Sequence, residues 1–177
     1  MNRCVPPLPT ADVAALARKY RALASLRRDR EAGALIPGRE VFRDLADEFP
    51  GALRELDTLP MHVITARLAD LDACVAGERE CATWMAIEYA HHAWMRAALM
   101  LKRRLRKKRD VSETDAERMA REISARTGLE VDVAFVREVA APREGRLRIV
   151  VVERVAGACG VTVEEVRSAL FGDLRDR

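Results

Sequence analysis

The residues best placed to do chemistry are seven cations in eight positions: Lys102, Arg103, Arg104, Arg106, Lys107, Lys108 and Arg109, interrupted only by Leu105. From Arg96 to Arg109 there are eight basic residues and no acid, so that of the net charge of +3 the rest of the chain carries −5. Charge concentrated in this way attracts polyanions: the phosphates of DNA or RNA first, an acidic protein second. A solvated helix end is the plainer reading, because cations at a helix C-terminus oppose the helix dipole. Seven of them exceed what capping requires, and a polyanion relieves their mutual repulsion.

A second constellation has metal-ligand spacing. Glu88-x-x-His91 places two ligand types on one helix face, as in ferritin-like di-iron helices, with His92, Cys81 and Glu80 nearby. Such a site needs a second Glu-x-x-His, and the one further histidine, His62, has Leu59 three residues before it. The pattern therefore reads as a core histidine, His91, beside a Glu88–His92 pair four apart, and no metal or cofactor is expected. The glycines never fall into GxGxxG or GxxxxGK[ST], and Ser25, Ser112, Ser124 and Ser168 lack a nucleophile-elbow context. No catalytic residue is assigned, and the expectation is a protein without enzymatic activity.

Composition narrows the class. A chain of 177 residues with 49% apolar and 33% charged residues has room for one core, or a core plus a small module. Met1-Asn2-Arg3-Cys4-Val5-Pro6-Pro7 lacks the apolar run of a signal peptide, and no stretch approaches the roughly 18 apolar residues of a membrane span. Cys4, Cys74, Cys81 and Cys159 form no CxxC pair and read as free thiols of a reducing cytoplasm. Cys74 and Cys81, seven apart, share a helix face only if Gly77 does not turn the chain. Arginine outnumbers lysine 27 to 4, glutamine is absent and asparagine occurs once, a bias of GC-rich bacterial genomes. A cytoplasmic bacterial protein without membrane contact is expected.

The elements that must position these residues follow from apolar period and breakers. Residues 1–9 read as a flexible tail. Thr10 and Asp12 cap a first helix to about Arg30, with Val13, Leu16, Tyr20, Leu23 and Leu26 in helical register. After the breakers Gly33, Pro37 and Gly38, a second helix spans Arg39–Phe49, presenting Val41, Phe42, Leu45 and Phe49. Leu53 and Leu56 continue the stripe beyond a Pro50-Gly51 turn, and a further helix spans Met61–Val75. The basic run ends one long helix, Glu80–Arg109, on which Trp84, Ile87, His91, Trp94, Ala98, Leu101 and Leu105 recur at alternating spacings of three and four. That seam suits a central helix covered by its neighbours, and it also allows self-pairing into a homo-oligomer. Ser112 caps a helix running to Arg126, stopped at Thr127-Gly128. Val131, Val133 and Phe135, the turn signal Pro142-Arg143-Glu144-Gly145, and Leu147, Ile149 and Val151 alternate as a β-hairpin would. A helix over 132–141 satisfies the same residues. A last helix runs from Thr162 to about Leu174. Met119, Ile123, Gly128, Leu129 and Val131 also precede Val151, Val155, Gly160, Val161 and Val163 by 32 positions, a faint internal echo.

Two segments resemble known sequences. Phe49-Pro50-Gly51-Ala52-Leu53-Arg54-Glu55-Leu56-Asp57 resembles a segment of uncharacterised proteins of high-GC bacteria, and implies no activity. The twenty residues 152–171 resemble the helix-turn-helix unit of bacterial regulators. Ala156 stands where the first helix needs a small residue, Gly160 at the turn, and Val155, Cys159, Val161, Val166 and Ala169 at buried positions. The resemblance implies that Thr162, Glu164, Glu165, Arg167 and Ser168 face a DNA groove, with Arg167 the main contact. Two acids on that face also fit a structural helix pair or a protein-docking unit.

The expected protein is mainly α: a helical bundle over 10–110 around a long central helix, then a helix-turn-helix-like module over 111–177 that includes either a β-hairpin or a further helix. The expected function is nucleic-acid binding or regulation. Lys102, Arg103, Arg104, Arg106, Lys107, Lys108 and Arg109 hold phosphates, and Thr162 and Arg167 are added contacts. The alternative is an adaptor or assembly subunit that binds protein.

Overall fold

Nine helices account for the regular structure in the computed structural model, which describes residues 8–34, 39–106, 111–140 and 146–172. They are α1 (Thr10–Glu31), α2 (Arg39–Glu48), α3 (Ala52–Thr58), α4 (Met61–Val75), α5 (Thr83–Leu105), α6 (Glu113–Thr127), α7 (Val133–Ala140), α8 (Arg146–Cys159) and α9 (Val163–Phe171). No helix among the described residues is long and apolar enough to cross a membrane. The first helix starts one residue earlier than its capping signals suggest: Pro9 is the N-cap, and Thr10 lies inside the helix.

No strand occurs among the described residues. Of the two readings of 129–152, the helix over 132–141 corresponds to α7, α8 follows it in place of the hairpin's second strand, and the turn at 142–145 lies outside the described residues. The physical reason is visible in the burial pattern. Phe135, Val136 and Val139 are buried in α7, and Val151, Val152, Val155, Ala156 and Cys159 in α8, spacings of a helix rather than a strand. Ile149, which strand alternation would turn inward, is 49% exposed. Asp132 accepts from the Phe135 amide at 2.7 Å, a side-chain cap that the alternation obscured.

The faint sequence echo corresponds to two successive helix pairs. In α6–α7 and in α8–α9 the first helix ends at a glycine in the left-handed region, Gly128 (φ 72°) and Gly160 (φ 67°). A side-chain oxygen then caps the second helix, Asp132 for α7 and Thr162 for α9. Glycine is required at both turns because other residues meet a steric cost there. Four positions separate glycine from cap in the first pair and two in the second, which is why the 32-residue offset fades after the turn.

Two apolar cores result. The first is built from α1, α3 and α4, with Leu45, Phe49 and the first turn of α5; Val13, Leu16, Tyr20, Leu23, Ile64 and Leu71 are fully buried there. The second gathers Trp94, Ala98 and Leu101 of α5 with Met119, Ile123, Phe135, Val151, Val155 and Val166. Trp94 and Phe135 meet edge to face, 4.9 Å between ring centres. Helix α5 packs against α1, α2, α6, α7, α8 and α9, giving Met85 to the first core, against which Tyr89 also packs, and Ile87, Trp94, Ala97, Ala98 and Leu101 to the second. Of the seam, Ile87, Trp94, Ala98 and Leu101 are buried, while Trp84, His91 and Leu105 are half-buried.

Gly77 does turn the chain after α4, and Cys74 and Cys81 close a disulfide across that turn, their Cα atoms 5.2 Å apart. This corrects the expectation of free thiols for that pair, and the inference of a reducing compartment loses their support. Cys159 is a buried free thiol in α8.

Candidate functional site: the basic end of α5 and a buried ion cluster

The last turns of α5 separate anchor from charge. Leu101 is fully buried and Leu105 packs on the second core, while Lys102, Arg103, Arg104 and Arg106 are exposed. The Arg106 amide still donates to the Lys102 carbonyl at 3.1 Å, so helical geometry carries the charges to that point. Arg104 forms an ion pair with Glu122 of α6. Lys107, Lys108 and Arg109 lie outside the described residues.

The α8–turn–α9 unit buries Val155, Ala156, Cys159 and Val166 and leaves Thr162, Glu164, Glu165, Arg167 and Ser168 exposed. Its first two polar groups are already occupied. The Thr162 hydroxyl accepts from the Glu165 amide at 3.2 Å, and the Glu165 carboxylate accepts from the Thr162 amide at 2.7 Å, a reciprocal capping box. These hydrogen bonds hold the Glu165 carboxyl below its ordinary range. Arg167 stands 3.9 Å from Glu164. The Ala169 carbonyl accepts from Arg67 at 3.1 Å, and Arg67 also reaches Glu88 at 3.1 Å. The Ala169 carbonyl thus sits beside Arg67 and Glu88, and Glu88 is sixteen residues and roughly 24 Å of helix from Arg104.

The structure assembles a different cluster, of which sequence spacing marks only the Glu88–His92 pair. Lys19 on α1 has no exposure. Its ammonium donates to Glu88 Oε1 at 2.6 Å, pairs with Glu55 Oε2 from α3, and lies 3.0 Å from His92 Nε2. An ammonium can only donate, so Nε2 is the acceptor, and the proton on Nδ1 is given to the Pro50 carbonyl at 3.2 Å. Glu88 accepts further from the Tyr20 hydroxyl at 2.9 Å. Arg67 donates to that hydroxyl at 2.8 Å and lies over the Trp84 ring at 5.1 Å. Four helices are therefore tied by one charged knot.

Electrostatics follow from this geometry. Burial alone would raise the Glu88 carboxyl; Lys19, with Arg67, outweighs it and holds the carboxyl well below its usual range. Burial alone would lower Lys19, but Glu88 and Glu55 prevail and its value is raised. A lysine held charged in this way is no nucleophile. Burial and Glu88 likewise raise the Tyr20 hydroxyl. Glu55, Glu88 and His92 offer ligand atoms within 4.8 Å of one another, the arrangement of a cation site. The Lys19 ammonium contacts all three, so a metal ion would have to displace it.

The expected Glu88–His92 proximity is present, at 3.7 Å, while His91 turns towards a neighbouring cavity. Burial pushes the His91 imidazole down to about 4, leaving it neutral near pH 7. Lys19, Glu55 and Arg67 are the members that sequence reasoning misses. A signal exists for the first: Lys19 sits between Leu16 and Leu23 on the apolar stripe of α1, one of only four lysines in an arginine-rich chain. Glu55 and Arg67 come from separate helices, and nothing local marks them.

Comparison with protein-family models, with curated proteins and with solved structures returns no match.

Proposed function

We propose that this protein is a nucleic-acid-binding or regulatory protein that contacts phosphates through the C-terminal end of α5. The observation that carries this reading is the pairing of a buried Leu101 and a core-packed Leu105 with the exposed cations Lys102, Arg103 and Arg106, which presents charge from a rigid element. Lys107, Lys108 and Arg109 extend the same charge in sequence. Arg167 adds one cation from α9, but Glu164 beside it and the occupied Thr162 argue for phosphate contact rather than base reading by that helix.

The adaptor reading would use an apolar face beside the tryptophans. Trp94 is 6% exposed in the second core, and Trp84, half-buried, packs against Arg67 and the Tyr20 ring. Gel shift with random-sequence duplex DNA and with RNA tests the proposal. A complex that forms at low salt and disappears when Lys102, Arg103 and Arg106 become glutamine supports it; a complex that the triple variant retains refutes it.

A further inference from the structure

A cavity of about 460 Å³ opens between the two cores, bounded by α3, α4 and α5 on one side and by α8 and α9 on the other. Its volume falls within the roughly 300–1,000 Å³ of small-molecule sites. One part of the wall is cationic: Arg54 enters from α3, Arg67 from α4 and Arg148 from α8. Arg67 is engaged with Glu88 and the Ala169 carbonyl, whereas Arg54 and Arg148 form no ion pair among the described residues. Another part is apolar, made of Met95, Leu99, Val152, Leu170 and Phe171, and Phe171 is left 40% exposed. The acids of the wall, Glu55 and Glu88, share Lys19, and Glu88 also meets Arg67, so among the described residues the excess charge facing the cavity is positive.

We infer that this cavity is a binding site for a small amphipathic carboxylate, its head held by Arg54 and Arg148 and its apolar body against Met95, Leu99, Val152, Leu170 and Phe171. Arginine suits a planar carboxylate because two of its N–H groups match the two oxygens. A monoanion is favoured over a phosphate dianion because Glu55 and Glu88 stand in the same wall and repel each added negative charge. The ligand would bridge residues of both cores, so its binding stabilises their docking by mass action. The site is independent of phosphate contact at the end of α5.

Isothermal titration of the full chain with octanoate tests it, with octan-1-ol and octyl phosphate as controls. Saturable octanoate binding is expected, tighter than that of either control, with a raised unfolding temperature. Arg54→Gln with Arg148→Gln, both exposed positions, is expected to weaken octanoate binding about tenfold while the circular dichroism spectrum stays unchanged. Absence of saturable octanoate binding overturns the inference. So does equal affinity for octan-1-ol, tighter binding of octyl phosphate, or an unaltered affinity in the double variant.

Discussion

An ammonium with no exposure must be met by carboxylates before the chain can close around it, and Lys19 meets two. Replacing it by methionine strands Glu88 without its nearest cation, and the expected destabilisation is about 3–5 kcal/mol in urea unfolding. Combining Lys19→Met with Glu88→Gln should cost at least about 1 kcal/mol less than the two single effects added together, because one interaction is counted in both. Strict additivity would mean that the pair does not interact. His91 gives a pH test. Its folded value, about 4, lies below the ordinary 6.5, so between these limits the unfolded chain binds a proton that the folded chain does not. Stability should therefore fall by about 2–3 kcal/mol as pH drops from 6.5 to 4, and His91→Asn should flatten that slope. Glu88 contributes fully above the ordinary carboxylate range and fades only below it, so the upper part of the window isolates the histidine. Lys19, raised, contributes fully below its ordinary value and ceases to do so only at higher pH.

At the scale of elements, the same substitution should act with opposite sign at two glycines. An added methyl group at Gly128 or at Gly157 meets nothing within 4 Å, so packing does not decide either outcome. Gly128 has a φ of 72°, and Gly128→Ala should cost about 1 kcal/mol. Gly157 lies inside α8, where alanine should stabilise by roughly 0.5–1 kcal/mol. Thermal unfolding of the two variants separates the cases, and a stabilised Gly128→Ala would contradict the left-handed turn. Some helix ends are legible in the sequence, although the long helix starts at Thr83 rather than Glu80. Ser112, Gly128, Thr162 and the Met61–Val75 span stand where side-chain caps and breakers put them. The region 129–152 misleads because Val, Ile and Phe satisfy two periods over short runs, and only burial by α5 and α6 selects the helical one. Reduction of Cys74–Cys81 should lower stability by roughly 2 kcal/mol, as closure of so short a loop implies. An unchanged unfolding midpoint in reductant would count against the bond.

In the whole molecule, α5 belongs to both cores and ends in the charged turn. Its seam, seven positions at alternating spacings of three and four, needs covering on most of a face, and helices from distant segments pack against it. The second buried line, Met85, Glu88 and His92, cannot be read in the same way, since it faces α1, α2 and α3 through partners distant in sequence. The same limit hides the cavity, whose arginines come from three helices. Phosphate contact at the basic end is tested most directly by the salt dependence of affinity for a labelled random-sequence DNA duplex, measured by fluorescence anisotropy. The wild-type chain should show affinity falling steeply with salt. In the Lys102→Gln, Arg103→Gln, Arg106→Gln variant the logarithmic slope should shrink by about 2.7, at roughly 0.9 for each phosphate no longer neutralised. A slope that is flat in the wild type, or equal in the two proteins, would contradict phosphate binding by this helix end.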